Sequence, residues 1–332
     1  MKFSIRLNND LTIPEYLRLA VAAENAGFDQ FWVSNDLFIR SGPIILAAVA
    51  NATHRIEIGT CIVNPYTINP GEIAMLAATL DELSGGRFNL GLGAGAAQFL
   101  KWVGIPQVTP LAAVTETAQV IRTLLRGERA PITGKFLHWG DEAYLRFKPA
   151  RVVPIYLGAM SPKMLAATGE WADGGLPLCF PPEHYASVAP LIAEGAAQVG
   201  RDIDEVDIAA CVWCSIAESR EAALDPLKEK IAYYGHALSP SIYDELGLTV
   251  EDFAPIEHAV MVENDIAKAK TLVTDQMLKI GIVGTPRDLI ERLEGLVAMG
   301  VRHLSFGPPL GPDLLAAVQM IGREVIPHFA GR

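Results

Sequence analysis

The chain has 332 residues, 50% hydrophobic and 20% charged, which is enough apolar material for a large core and too little charge for a disordered chain. A formal net charge of -11 excludes a non-specific nucleic-acid binder, since such a protein needs a basic stripe. The N-terminus MKFSIRLNND has no apolar leader core, and no apolar run is long enough to cross a bilayer. These features predict a soluble cytoplasmic protein acting on a small molecule, with neither nucleic acid nor membrane as partner.

In chain order, the β-rich runs are KFSIRL from Lys2, FDQFWVSN from Phe28, IEIGTCIVN from Ile56 and FNLGLGAG from Phe88. PIYLGA from Pro154, GGLPLC from Gly174, DIAACVWCSI from Asp207 and VRHLSFGPP from Val301 complete eight. Between them lie stretches with apolar residues at helical spacing, such as Ile13 to Gly27 and Leu289 to Gly300, several ending in glycine before the next strand. Strict alternation of strand and helix predicts parallel pairing with right-handed crossovers. The fold class expected is therefore α/β, a (β/α)8 TIM barrel over residues 1–332 as a single domain. A doubly wound sheet is the rival, but eight units close naturally and the strands carry few charges.

Two segments interrupt the period. Residues 128–153 read as an irregular or hairpin insertion before the fifth strand. Residues 217–284 form a long connection after the seventh, with helical patches at AALDPLKEKIAYYGHAL and ENDIAKAKTLVTDQML around the turn-rich SPSIYDELG. A connection of that length after a barrel strand belongs to the C-terminal face, where it serves as a lid or partner surface.

Cys211 and Cys214 form a CxxC, but on a strand residues three apart point to opposite faces, so these thiols are expected to diverge. The seven histidines show no HxH or HExxH spacing, which argues against zinc, and neither GxSxG nor a P-loop is present. GLGAGA from Gly91 fits a dinucleotide fingerprint only superficially, because the region twenty residues on is a helix rather than a strand ending in an acid. It reads better as a strand end against which a flat ligand can lie.

In a barrel, polar residues and glycines at strand C-termini are the candidates for chemistry. They are Arg6 on the first strand, Asn35 and Asp36 after the second, and Cys61 to Tyr66 after the third. The fourth strand adds Gly93 and Gly95, and the fifth runs into GAMSPKM from Gly158. There Ser161 and Pro162 suit a helix start, whose N–H groups together with Lys163 either bind a phosphate or simply cap the helix.

NPYTINPGEIAMLAATLDELSGGRFNLGLGAG (64–95), VPIYLGAMSPKML (153–165), PLIAEGAAQVGRDIDEVDIAACVWCSI (190–216) and VGTPRDLIERLEGLVAMGV (283–301) occur in this order. Together they resemble the luciferase-like superfamily, and especially the coenzyme F420-dependent methylenetetrahydromethanopterin reductases. The resemblance implies a barrel, usually a homodimer, that holds the deazaflavin coenzyme F420, or alternatively FMN or NADPH, at the strand C-termini. It implies a bulge with a non-prolyl cis peptide at Cys61-Ile62 behind the ring, and a cofactor phosphate at the Gly158–Lys163 turn. Cofactor contacts are expected from Cys61, Ile62, Val63, Asn64, Gly93, Gly95, Gly158, Ala159, Met160, Ser161, Lys163 and Cys179. The implied chemistry is direct hydride transfer between the ring and a stacked electrophilic carbon, the protein supplying orientation and water exclusion. The alternatives are an FMN- or NAD(P)H-dependent oxidoreductase or monooxygenase of the same superfamily and a non-catalytic ligand-binding barrel.

The chain departs from its relatives around the ring. Arg6 stands where the reductases carry a glutamate, Asn35-Asp36 replaces Asp-His, and Ala96-Ala97 follows the glycines where an acid is usual. Arg6, Asn35 and Asp36 are thus the expected substrate-facing residues. For Arg6 two roles stand: binding an anionic substrate or cofactor group, or pairing with Asp36 across the mouth. Asp36 is either a replacement proton donor or one half of that pair.

Overall fold

In the strand KFSIRL polar and apolar residues alternate, so Ser4 and Arg6 leave from the face opposite Phe3, Ile5 and Leu7. The apolar set joins the main core between sheet and helices. The polar set turns to the barrel axis. The computed structural model of the chain describes residues 1–238 and 240–331, the side chains of residues 240 and 241 excepted.

The strands are β1 Lys2–Leu7, β2 Gln30–Val33, β3 Glu57–Thr60, β4 Phe88–Gly93, β5 Ile132–Thr133, β6 His138–Trp139, β7 Ile155–Gly158, β8 Gly174–Gly175, β9 Asp207–Ile216, β10 Ile282–Gly284 and β11 His303–Leu310. Parallel pairing runs β11-β1-β2-β3-β4-β7-β8, and β9 joins β8 to β11, closing an eight-stranded barrel. The closed barrel, not the doubly wound sheet, is therefore the architecture. Cys211 faces the barrel interior with Trp32 and Tyr156, while Cys214 packs into the outer core, so the CxxC thiols diverge.

The insertion before the fifth barrel strand contains the antiparallel hairpin β5–β6. Glu116, on the helix Pro110–Leu125, holds it by accepting from the N–H groups of Lys135 at 2.8 Å, Phe136 at 2.9 Å and Leu137 at 2.9 Å. Burial works against its charge, but these donors outweigh burial and keep the carboxyl below its usual range. Glu116→Ala is expected to cost about 1–3 kcal/mol in urea denaturation, and Glu116→Gln less, since the amide oxygen still accepts. Because the folded value is depressed, this contribution is present above the unfolded pKa and lost as pH falls through the folded one.

Two details of the long connection differ from expectation. The turn-rich stretch begins at Ser239, which lies outside the described residues, but Pro240–Leu246 is a helix that buries Ile242, Tyr243 and Leu246. Its proline opens the helix, and apolar residues at i and i+4 outweigh the turn composition. At the other end, Ile282–Gly284 is a ninth strand, β10, extending the sheet beside the end of β9. The connection also has an apolar core of its own, around Leu227, Ile231, Phe253 and Ile256.

Inside the barrel, a hydrogen-bonded chain runs from the C-terminal mouth to the N-terminal face. Arg6 Nε donates to Ser305 Oγ (3.2 Å), Ser4 Oγ donates to Ser305 Oγ (2.8 Å), and His303 Nε2 meets Ser4 Oγ (2.8 Å). His303 Nδ1 then meets Asp207 Oδ1 (3.0 Å). Gln30, Trp32, Glu57, Asn89 and Tyr156 branch from the same end.

Candidate active site

A cavity of about 470 Å³ opens at the C-terminal ends of the strands. Its floor is built from the chain following β3. The Cys61-Ile62 peptide is cis, at the position expected. The Ile62 side chain lies over Gly93 and Gly158: an added Cβ would stand 3.1 Å from Ile62 Cγ1 at Gly93 and 2.8 Å from Ile62 Cγ2 at Gly158. These glycines therefore make room for Ile62, which then presents the surface to the cavity. That differs from the sequence reading of Gly93, in which the ligand itself rests on the strand end.

Asn64 fixes the turn after the bulge, its Oδ1 accepting from the N–H groups of Tyr66 (3.1 Å) and Thr67 (3.0 Å). Gly95, with φ of 73°, lies against the Asn64 amide. Across the cavity, β7 ends at Gly158 and the helix Pro162–Trp171 begins after Ser161. The Ser161 hydroxyl makes no capping bond. Among the described residues, no protein group accepts from the N–H groups of Met160, Ser161 or Lys163, so a row of donors is open beside the floor.

Of the expected site residues, Arg6, Asn35, Asp36, Cys61, Ile62, Asn64, Gly95, Gly158, Ala159, Met160 and Ser161 border this cavity. Val63, Gly93, Lys163 and Cys179 do not. Val63 is fully buried and bridges to Leu92, Gly93 is covered by Ile62, and Cys179 is fully buried beside Pro177. The Lys163 side chain is exposed. Sequence reading missed Phe99 and Leu100 on the helix Ala97–Trp102, and Leu176 and Leu178 after β8, which supply apolar walls. Gln107 was also missed; its amide donates to the carbonyls of Ala94 and Gly95, both at 2.9 Å.

The polar groups differ in character. Burial pushes the Cys61 thiol up to about 12, so it is a neutral thiol near pH 7. Asn35 Oδ1 accepts from the Gly42 N–H (3.0 Å) and so holds the start of the helix Gly42–Ala52. Asp36 lies at the solvent-facing rim, but protein packed around it raises its carboxyl, opposed by the Ser34 hydroxyl and by Lys230. Lys230 comes from the long connection and stands over the Tyr234 ring at 3.9 Å. Burial lowers its ammonium to about 8, against the pull of Asp10 and Asp36. Arg6 forms no ion pair with Asp36. Its guanidinium bonds Ser305 Oγ and the Val212 carbonyl (3.1 Å).

A larger and more open depression, about 1110 Å³, lies at the opposite end around Lys2, Asp207 and Arg302. Barrel chemistry occurs at the C-terminal face, so the smaller cavity over Ile62 is the candidate active site.

The luciferase-like monooxygenase family matches residues 1–303. The 5,10-methylenetetrahydromethanopterin reductase of Archaeoglobus fulgidus is 32% identical over 333 residues, covering 99% of this chain and 100% of the relative. An F420-dependent glucose-6-phosphate dehydrogenase of Nakamurella multipartita is 29% identical over 334 residues, 95% of this chain and 92% of the relative. The solved structure of the coenzyme F420-dependent tetrahydromethanopterin reductase from Methanopyrus kandleri superposes with a TM-score of 0.93 at 30% identity, over 99% of both chains. On sequence and fold together, the chain belongs to the luciferase-like monooxygenase family.

Proposed function

We propose that the chain is a coenzyme F420-dependent oxidoreductase that passes a hydride between the deazaflavin and a small organic substrate. The relatives named above support the cofactor and the reaction class. The observation in this chain that carries the reading is the floor, Ile62 after a cis peptide, seated over Gly93 and Gly158 beside a row of open N–H donors. An apolar shelf flanked by an anion-binding turn fits a planar ring that carries a phosphate, and the cavity has the size of a small-ligand site.

When bound, F420 supplies the carbon that gives or takes the hydride. Ile62 backs the ring, and the N–H groups of Met160, Ser161 and Lys163 hold the phosphate. Phe99, Leu100, Leu176 and Leu178 keep water from the reacting carbons, which protects a hydride from quenching. Arg6, Asn35 and Asp36 face the substrate. The barrel is a single domain, residues 217–284 act as its lid, and the working assembly is a cytoplasmic homodimer. Exposed Ile44 and Met75 on neighbouring helices support an apolar contact between copies. Among the described residues no helix is long and apolar enough to cross a membrane.

Calorimetric titration of the purified protein with F420, FMN and NADPH tests the assignment. Saturable binding is expected for F420, with FMN and NADPH weaker. Preferential binding of FMN or NADPH overturns the deazaflavin reading, and binding of none overturns the cofactor site.

A further inference from the structure

Arg6 is a cation bordering the cavity at the barrel mouth, and the residue is almost wholly buried, at 7% exposure. Arginine is held there by its surroundings. Inward residues of β1 alternate with core residues, so the side chain must enter the barrel, and Gly307 on β11 leaves room for it. A Cβ at position 307 would stand within 2.9 Å of Arg6 Cζ. Its protein partners are both neutral, the Ser305 hydroxyl at Nε and the Val212 carbonyl at Nη2. A guanidinium has five N–H donors, and among the described residues the remaining ones have no acceptor. Among the described residues no carboxylate forms an ion pair with it; its partners are the Ser305 hydroxyl and the Val212 carbonyl alone. Burying an unpaired charge in this way is unfavourable for folding, and a purely structural role would be met better by an apolar side chain.

We propose that Arg6 is the anchor for an oxyanion on the substrate, so that the hydride partner is a small organic acid rather than a neutral or cationic compound. The proposal rests on the cavity over Ile62 being the reaction site. The guanidinium, fixed by Ser305 and Val212, borders the cavity, and its planar fork matches carboxylate or phosphate. Ser305 is itself bonded to Ser4, and Ser4 to His303, so the fork is set before substrate arrives. Binding of a positively charged substrate group beside it is disfavoured by the same charge.

The test is calorimetric titration of the protein, with and without bound F420, using pyruvate, methyl pyruvate and inorganic phosphate as probes. Pyruvate and its ester share the carbonyl and differ in the charge. The expected result is binding of pyruvate or phosphate, no binding of the ester, and a loss of about 10- to 100-fold in anion affinity in Arg6→Gln. Arg6→Lys is expected to recover part of that loss, and F420 affinity to change little in either variant. Pyruvate stronger than phosphate assigns a carboxylate substrate, and the reverse a phosphorylated one. Equal binding of pyruvate and its ester, binding of no probe, or anion binding unchanged in Arg6→Gln overturns the proposal. A loss of F420 affinity equal to the loss of anion affinity also overturns it, since the guanidinium then serves the cofactor. Anion binding that depends on Arg6 in a protein that does not bind F420 instead sinks the cofactor assignment and leaves the anchor standing.

Discussion

Gly158→Val is expected to weaken F420 binding by about 10- to 100-fold while the protein still folds. Even the first added carbon would stand 2.8 Å from Ile62 Cγ2, and the rest of the valine must share the space that Ile62 fills. Ile62 is also packed close to Gly93, where a built Cβ would stand 3.1 Å from Ile62 Cγ1. Ile62 borders the cavity, so the expected displacement is into that open space. Overpacking of a tight site costs about 1–3 kcal/mol. Taken up by the bound state, that corresponds to about 10- to 100-fold in affinity. The double variant Gly158→Val with Ile62→Ala returns the lost volume, so most of the affinity should come back. Unchanged binding in Gly158→Val would mean that Ile62 is not the surface on which the ring rests.

The floor also shows what sequence could and could not reveal. The glycines at 93 and 158 stood out as strand-end residues, and their location was right. Their partner was not legible, because Ile62 reaches them across two strand gaps and nothing in either local sequence encodes that meeting. The same holds for Phe99, Leu100 and Gln107, which enter the cavity from a helix and loop rather than from a strand end. In contrast, the polar interior was visible in principle. Lys2, Ser4 and Arg6 alternate with Phe3, Ile5 and Leu7, and the run HLS in β11 repeats the pattern with His303 and Ser305.

Local chemistry was the better guide where a structure closes on itself. The hairpin insertion and the helix start at Ser161–Pro162 both follow from neighbouring residues. The helix Val250–Met261 was overlooked although Thr249 and Asp252 form a capping box at its start. Cys179 illustrates the opposite limit. It ends the sixth predicted strand, but its thiol turns to Pro177 and is sealed from the cavity.

The polar interior leads to the largest expected change in stability. Asp207 closes the lower end of the interior chain. It receives Lys2 Nζ at 2.8 Å and the Tyr156 hydroxyl at 2.7 Å on one oxygen, and meets His303 Nδ1 at 3.0 Å on the other. Burial works against its charge, but His303 and Lys2 outweigh it and hold the carboxyl far below its usual range. Lys2 is half exposed, so solvent screens that pair and the buried His303 and Tyr156 contacts carry more of the effect. Asp207→Ala strips both buried groups of their acceptor and is expected to destabilise the fold by about 3–5 kcal/mol. Asp207→Asn keeps one acceptor oxygen and should cost less. The unfolded carboxyl titrates near pH 3.9, above the folded value, so the stabilisation is complete above that pH and is lost as pH falls through the folded pKa. Urea denaturation should therefore show the gap between wild type and Asp207→Asn narrowing below about pH 4. A gap independent of pH would mean that the carboxylate charge contributes nothing and that packing alone explains the loss. Because Asp207 lies at the face opposite the cavity, F420 affinity should survive in any variant that remains folded, which separates support of the barrel from chemistry at its mouth.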